Sequence, residues 1–386
     1  MSNLKIFTHT IEDAALEMIN AIAEHPYFEN QKIRIMPDTH AGNAIVVGFT
    51  CPVGPYLNPE HVGTDIGCGI ETELFDKLLP AEQFPLFEQR VRNAIPMGKD
   101  INTKREFDLK EFCKFVRKEL SRAAQSSDGL VYEMPFNNER DISAWCKSLN
   151  LDEKTFYKSI GTLGGGNHFI ELDYNEAQEL MGATVHTGSR NIGQKVCNRW
   201  AKKAIATKGY LSGNLLSQYL TDMVVAQAYA QYNRKIILDK IADIYKKLCK
   251  GRVVETISSV HNYLDFSDMI IRKGAIRSYV GERMVIPFNM RDGLAICEGK
   301  SNADWNCSAP HGAGRLLSRN KAKELLTMEA FREAMSDIYS TSVCEGTLDE
   351  SPMAYKDTQT ILREIEPTCE ILYFMKPVVN LKDTGK

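Results

Sequence analysis

Histidines that stand at the ends of short apolar runs, each beside glycine, asparagine, serine or threonine, recur along this chain at wide intervals. The stretches GGGNHFIEL, TVHTGSR, SVHNYLDF and PHGAG place His168, His186, His261 and His311. Segments of similar composition, MPDTHAGNAIVVG, HVGTDIGCGIE and PFNMRDG, extend the set from residue 36 to the end of CSAPHGAGRLLSR at residue 319. Small polar neighbours leave imidazole nitrogens accessible, and rings so far apart in sequence form one site only if one fold gathers them. No repeat, low-complexity tract or long Gly/Ser linker divides the 386 residues. We therefore expect a single catalytic domain over residues 1–386.

Runs such as NAIVVGF, HFIEL, ETISSV and MVIPF, closing on Gly, Asn or Asp, predict strands that carry site residues at their ends. DAALEMINAIAEH has helical spacing, and so has the stretch from SGNLLSQYLTDMVVAQ to DKIADIYKKLCKG, which opens on Ser212 and closes on Gly251. Its Lys and Arg residues are expected to form a basic helical surface within a helical insertion around 194–250. The fold class expected is α+β, a mixed sheet core with peripheral helices.

An apolar content of 43% with 25% charged residues is that of a soluble globular protein. No apolar run approaches the roughly 20 residues that span a bilayer, and MSNLKIFTHT lacks the pattern of a secretory signal, so a cytoplasmic location without membrane contact is expected. The ten cysteines include no C-x-x-C pair and read as mostly reduced core residues. From His186 to Leu325 there are 23 Lys and Arg against 11 Asp and Glu, while the whole chain carries −3. Such asymmetry favours a polyanion approaching one side, although solvated helix faces give the same count.

In TDIGCGIE, Asp65 and Cys68 stand three apart between glycines, so a carboxylate and a thiolate can face one cavity, and two metal ions could share the thiolate. The Cys/His donors favour zinc, whereas the Asp and a phosphate substrate favour manganese or magnesium. His40 and His61 also lie in glycine-bearing segments without independent support as ligands, and His9 and His25 read as incidental. GTLGGGNHFIEL lets backbone N–H groups approach an anion closely, but it is neither a Walker A loop nor a dinucleotide fingerprint. In CSAPHGAGRLLSR, Gly312 and Gly314 permit close approach, and Arg315 and Arg319 either clamp phosphate oxygens or follow a plain glycine turn as solvated side chains.

Together these segments, with AYKD and VVNLKD, resemble the RtcB family of RNA ligases, in the family's order and over nearly the whole chain. The resemblance implies the family's own α+β fold, with GTP and two Mn2+ ions as cofactors. It makes Asp65, Cys68 and His168 ligands of one ion and Cys68, His186 and His261 ligands of the other. Nucleotide contacts fall on Asn167, His168, Phe169, Ile170 and Glu171, with Glu171 reading guanine; on His261 and Asn262; on Pro287, Phe288, Asn289, Met290 and Leu294; on His311, Gly312, Ala313 and Gly314; and on Tyr355 and Lys382. His311 becomes the nucleophile that takes GMP from GTP. An RNA 2′,3′-cyclic phosphate is then opened to a 3′-phosphate, receives the GMP, and is attacked by a 5′-hydroxyl. Arg190, Arg315 and Arg319 are candidates for the RNA path, and the protein is expected to act as a monomer.

Typical members carry Pro-Gly-Ser-Met followed by a further serine where this chain has IPFNMRDGL, with Phe288, Asn289 and Leu294 at the changed positions. A phosphate loop so altered implies a changed affinity for the nucleotide or a changed choice of it, with Arg291 offering compensating charge. Pro310 holds Ala309 extended before His311, and Asp383 stands where glycine is usual. These departures imply a divergent bacterial branch, specialised for repairing cleaved tRNA or ribosomal RNA. The competing readings are a metal-dependent RNA 3′-end guanylyltransferase or phosphoesterase without sealing activity, and a noncatalytic RNA-binding module.

Overall fold

The computed structural model describes residues 3–385, and its strands form two principal sheets. The larger is antiparallel, in the order Arg283–Asn289, Gly293–Gly299, Cys369–Leu381, Phe169–Asn175, Leu180–Thr187, Gly69–Phe75 and Val253–Val260. The second runs Asn3–Ile6, Lys32–His40, Val47–Pro52, Ile270–Lys273 and Asn262–Asp265, and is parallel only at its first pair. A short ribbon pairs Ala275–Arg277 with Ser308–Pro310, so Ala309 is extended as expected and the chain delivers His311 at the ribbon's end. The α+β class is the one adopted. All ten thiols are free, and seven of them are buried.

The long helix, Gly213–Cys249, departs from the peripheral, basic surface expected of it. It is buried on most of its circumference, from Leu216, Tyr219 and Met223 to Ile237, Ile241 and Tyr245, which marks a helix inside the core. Its first half packs among helices Leu109–Ser126 and Asn191–Ala204, and its second half against the larger sheet. Arg234 is fully buried, the exposed Lys235 pairs with Asp239, and the other exposed lysines, Lys246, Lys247 and Lys250, stand at the helix's end. The charge count misled because it does not record which way a residue faces. The termini also differ in detail. Ser212 precedes the helix without a side-chain cap bond, and Lys250 takes the left-handed conformation, with φ of 62°. Gly251 is required for another reason, since a Cβ there would lie 2.6 Å from the ring of Tyr245.

One buried carboxylate ties the helical layer together. Asp222, on the long helix, accepts from Trp145 Nε1 and Trp200 Nε1, each at 2.8 Å. Asp222→Ala leaves both indole N–H groups buried without an acceptor. We expect a loss of about 2 to 5 kcal/mol in equilibrium urea unfolding, and an unchanged midpoint would contradict this role.

Candidate active site

Sheet register gathers the candidate ligands. Asp65 and Cys68 lie in the turn that enters Gly69–Phe75, and His168 immediately precedes Phe169–Asn175. His186 lies near the end of its strand, opposite both Phe169 and Ile70, and His261 follows the strand whose Val260 pairs with Gly69. Four neighbouring strands therefore end together, as the turn residues in the sequence predict.

The donor atoms converge. Cys68 Sγ lies 3.3 Å from His186 Nε2 and 3.6 Å from His168 Nε2, and His186 Nε2 lies 3.3 Å from His261 Nε2. His168 Nε2 is 3.0 Å from Asp65 Oδ2. Carbonyl oxygens fix two of the rings: His168 Nδ1 lies 2.9 Å from Leu163 O, and His186 Nδ1 lies 3.1 Å from Asn167 O. Each Nδ1 therefore carries the proton, and each Nε2 presents a lone pair. Burial keeps His186 and His261 neutral by holding their pKa values well below the usual range, and repulsion from the neighbouring histidines adds to this. Burial, reinforced by Asp65, also pushes the Cys68 thiol well up.

Donor atoms so gathered fit a cation that gives each lone pair a partner. Two three-residue sets have donor atoms within 4.8 Å of one another: Asp65, Cys68 and His168, and Cys68, His186 and His261. Cys68 belongs to both. Softness alone still leaves zinc and manganese open.

The ring of His311 lies 4.8 Å from that of His261. Its Nδ1 lies 2.6 Å from Asp38 Oδ2, and its backbone N–H donates to the same oxygen at 3.1 Å. Asp38 thereby orients the ring and leaves Nε2 free toward the metal-ligand cluster. Gly314 is dictated by this packing rather than by a ligand, because a Cβ there would sit 2.2 Å from Asp38 O. Asp38 stands in the MPDTHAG segment, but nothing in the sequence pairs it with a histidine 273 positions away.

His311 opens into a cavity of about 760 Å³, within the range of nucleotide-sized sites. Asn167, Phe169, Glu171, His186, Pro287, Phe288, Asn289, Met290, Gly312, Ala313, Gly314, Arg315, Arg319, Tyr355 and Lys382 line it. His40 lines it too, with Nδ1 3.0 Å from Asp38 O and its pKa lowered by burial to about 4. Glu171 is buried and accepts from Asn380 Nδ2 at 2.5 Å. Burial and the nearby Asp173 push its carboxyl well up.

Other expected residues stand elsewhere. Ile170 and Leu294 point into core clusters, and Asn262 accepts Gly67 N–H and Gly274 N–H, bracing the turn before Cys68. Phe288 joins a core cluster with Ile286 and Ala309 while walling the cavity, and Arg291 is bonded to Asp292 at 2.8 Å. His61 is packed among Phe28, Phe49 and Tyr210, away from the site.

The expected phosphate clamp is engaged by acids. Glu350, buried and absent from the sequence reading, receives Arg315 at 3.1 Å, Arg319 at 2.6 Å, Lys382 at 3.2 Å and the hydroxyl of Tyr355 at 2.9 Å. Arg319 also pairs with Asp349 at 2.7 Å and keeps 44% of its side chain exposed. Arg190 donates to Thr162 Oγ1 and Gly98 O.

The long helix holds the ligand loops from behind. Arg234 Nη1 donates to Gly67 O at 2.8 Å and Thr187 O at 3.0 Å, next to Cys68 and His186. Asn233 accepts from Gly161 and Thr162 N–H and donates to Thr162 O and Gly188 O. Leu163 O, on the same loop, fixes His168. Such partners orient metal ligands, and Arg234→Met should weaken divalent-cation affinity by about 10-fold or more in a calorimetric titration. Wild-type affinity in the folded variant would contradict this.

A family model described as "tRNA-splicing ligase RtcB" matches residues 18–383. The RNA-splicing ligase RtcB of Escherichia coli K12 is 29% identical, covering 96% of this chain and 94% of its own length. The tRNA-splicing ligase RtcB of Pyrobaculum aerophilum is 25% identical over 91% of this chain and 86% of its own, and the RNA-splicing ligase RtcB of Mycobacterium tuberculosis 24% over 85% and 90%. With a Cys68-centred histidine cluster beside the cavity that His186 and the oriented His311 line, the chain belongs to the RtcB family, GTP-dependent ligases that use Mn2+ and join RNA 3′-phosphate ends to 5′-hydroxyl ends.

Proposed function

We propose that this chain repairs broken RNA, such as tRNA or ribosomal RNA fragments, by joining a 2′,3′-cyclic phosphate or 3′-phosphate end to a 5′-hydroxyl end through GMP bound covalently to His311. The observation that carries this reading is the ring of His311, oriented by Asp38 and facing the ligand cluster inside a nucleotide-sized cavity. Asp65, Cys68 and His168 would hold one Mn2+, and Cys68, His186 and His261 a second. Bound ions supply Lewis-acid polarisation of phosphoryl oxygens and neutralise their charge.

The residues of the chain do the rest. His311 Nε2 gives its lone pair to the α-phosphorus of GTP as the bond to pyrophosphate breaks, and the leaving pair departs with pyrophosphate. Nδ1 keeps its proton toward Asp38, whose carboxylate stabilises the cationic ring. Glu171, supported by Asn380, reads the guanine edge, and Tyr355 lies near the base. Asn167, Phe169, Lys382, the 287–290 segment and the glycines around Ala313 wall the nucleotide. His168, His261 and Asn262 act from the metal side, and Ile170 and Leu294 through the packing of the strands beneath. Of the arginines, Arg319 is the most open to RNA phosphate, while Arg190 and Arg315 shape the path. Such contacts carry no sequence information.

Incubation with Mn2+ and GTP labelled at the α-phosphate should give a covalent adduct in the wild type and none in His311→Ala. An adduct that persists in His311→Ala would sink the nucleophile assignment. Chasing the adduct with RNA bearing a 3′-phosphate and a 5′-hydroxyl should yield joined RNA, whereas adduct without joining identifies a guanylyltransferase. Cys68→Ser should bring Mn2+ stoichiometry below two and lower adduct yield about 100-fold under limiting metal, because one donor serves both ions. Retention of two tight ions would contradict the shared thiolate.

A further inference from the structure

Behind the Asp38–His311 pair lies a buried lysine whose charge has no acid as its hydrogen-bond partner. Lys356 is 7% exposed, and its Nζ donates to Thr10 O at 2.9 Å, Pro37 O at 3.0 Å and Thr39 O at 2.9 Å. All three ammonium donors are thereby spent on carbonyl oxygens. Two of those carbonyls belong to the residues on either side of Asp38. The backbone N–H of Lys356 donates to Gly314 O at 3.0 Å, so one residue ties the strand bearing Asp38 to the loop bearing His311.

Tethering two of the three carbonyls does not call for an ammonium. A neutral amide also donates to carbonyls, whereas burying a full charge costs several kcal/mol unless that charge has a use. The neighbouring carboxylate supplies one. Asp38 is fully buried, one of its oxygens is bonded to His311, and the other, Oδ1, has no hydrogen-bond partner. An anion so placed calls for a cation nearby.

We propose that Lys356 is a positioning residue for the nucleotidyl-transfer step, acting through Asp38. Its charge stabilises the carboxylate that faces His311, and its bonds to Pro37 O and Thr39 O fix the strand on either side of Asp38 so that the carboxylate stays in line with His311 Nδ1. When Nε2 forms the N–P bond and pyrophosphate leaves, the proton stays on Nδ1 and the modified ring remains cationic. In that form the ring is a good leaving group when the RNA 3′-phosphate attacks the phosphorus. A proton passed to Asp38 would leave a neutral ring that releases GMP slowly.

The inference rests on His311 as the nucleophile, and one pair of variants separates the two. Lys356→Gln keeps two N–H donors and drops the charge, and Lys356→Arg keeps the charge. The adduct assay with labelled GTP should show Lys356→Gln about 100-fold slower in kcat, with KM for GTP within about two-fold and Mn2+ affinity unchanged. Lys356→Arg should stay within about tenfold of wild type. Lys356→Gln at the wild-type rate, a loss that merely tracks lost Mn2+ binding, or Lys356→Arg no better than Lys356→Gln overturns the role of Lys356. If Lys356→Gln does not fold, Lys356→Arg decides: a rate within tenfold supports the charge, and a lost adduct with intact Mn2+ binding refutes it. Wild type forming no adduct would instead remove the nucleophile reading itself.

Discussion

The site depends on donor atoms from distant segments held within a few ångströms of one another. The Nε2 atoms of His168, His186 and His261 gather around Cys68 Sγ in two overlapping sets, and the carbonyls behind two of the rings decide which nitrogen faces inward. This geometry follows from strand register, since the ends of four adjacent strands coincide. It is reinforced by the long helix, where Asn233 and Arg234 hold the carbonyls next to the ligands. A helix buried on most sides is thus the mechanical support of the Cys68–histidine cluster.

The His311 side is built on a different principle. Where the Cys68 side relies on neutral rings around one sulfur, the His311 side sets an imidazole against the buried Asp38 carboxylate, whose flanking carbonyls are bonded by the Lys356 ammonium. The two meet across the 4.8 Å gap between the His261 and His311 rings. Glu350 performs a third task at the far wall of the cavity by drawing together Arg315, Arg319 and Lys382, cations that would otherwise repel one another.

The convergence of His168, His186 and His261 was legible in sequence because each stands beside small polar residues at one end of an apolar run, and that pattern survives folding. Asp38 was not, since Pro-Asp-Thr is ordinary turn chemistry and its partner lies in a distant ribbon. Glu350 sits in a short 3₁₀ segment, Glu345–Glu350, with no periodicity to mark it. Charge counting placed a basic surface on the long helix, yet Arg234 and, farther on, Arg272 are buried and bonded. Phe288 and Leu294, read as changes in a phosphate loop, also serve the core: one side chain walls the cavity, and the other packs with Ile70 and Leu74.

The central claim, that one thiolate organises two cations facing His311, is tested most directly by anomalous diffraction at the manganese edge from crystals of this protein grown with Mn2+. The account predicts two anomalous peaks about 3.5 to 4 Å apart, both within bonding distance of Cys68 Sγ, one beside His168 and Asp65 and the other beside His186 and His261. A single peak, or two peaks with Cys68 bound to neither, would contradict it.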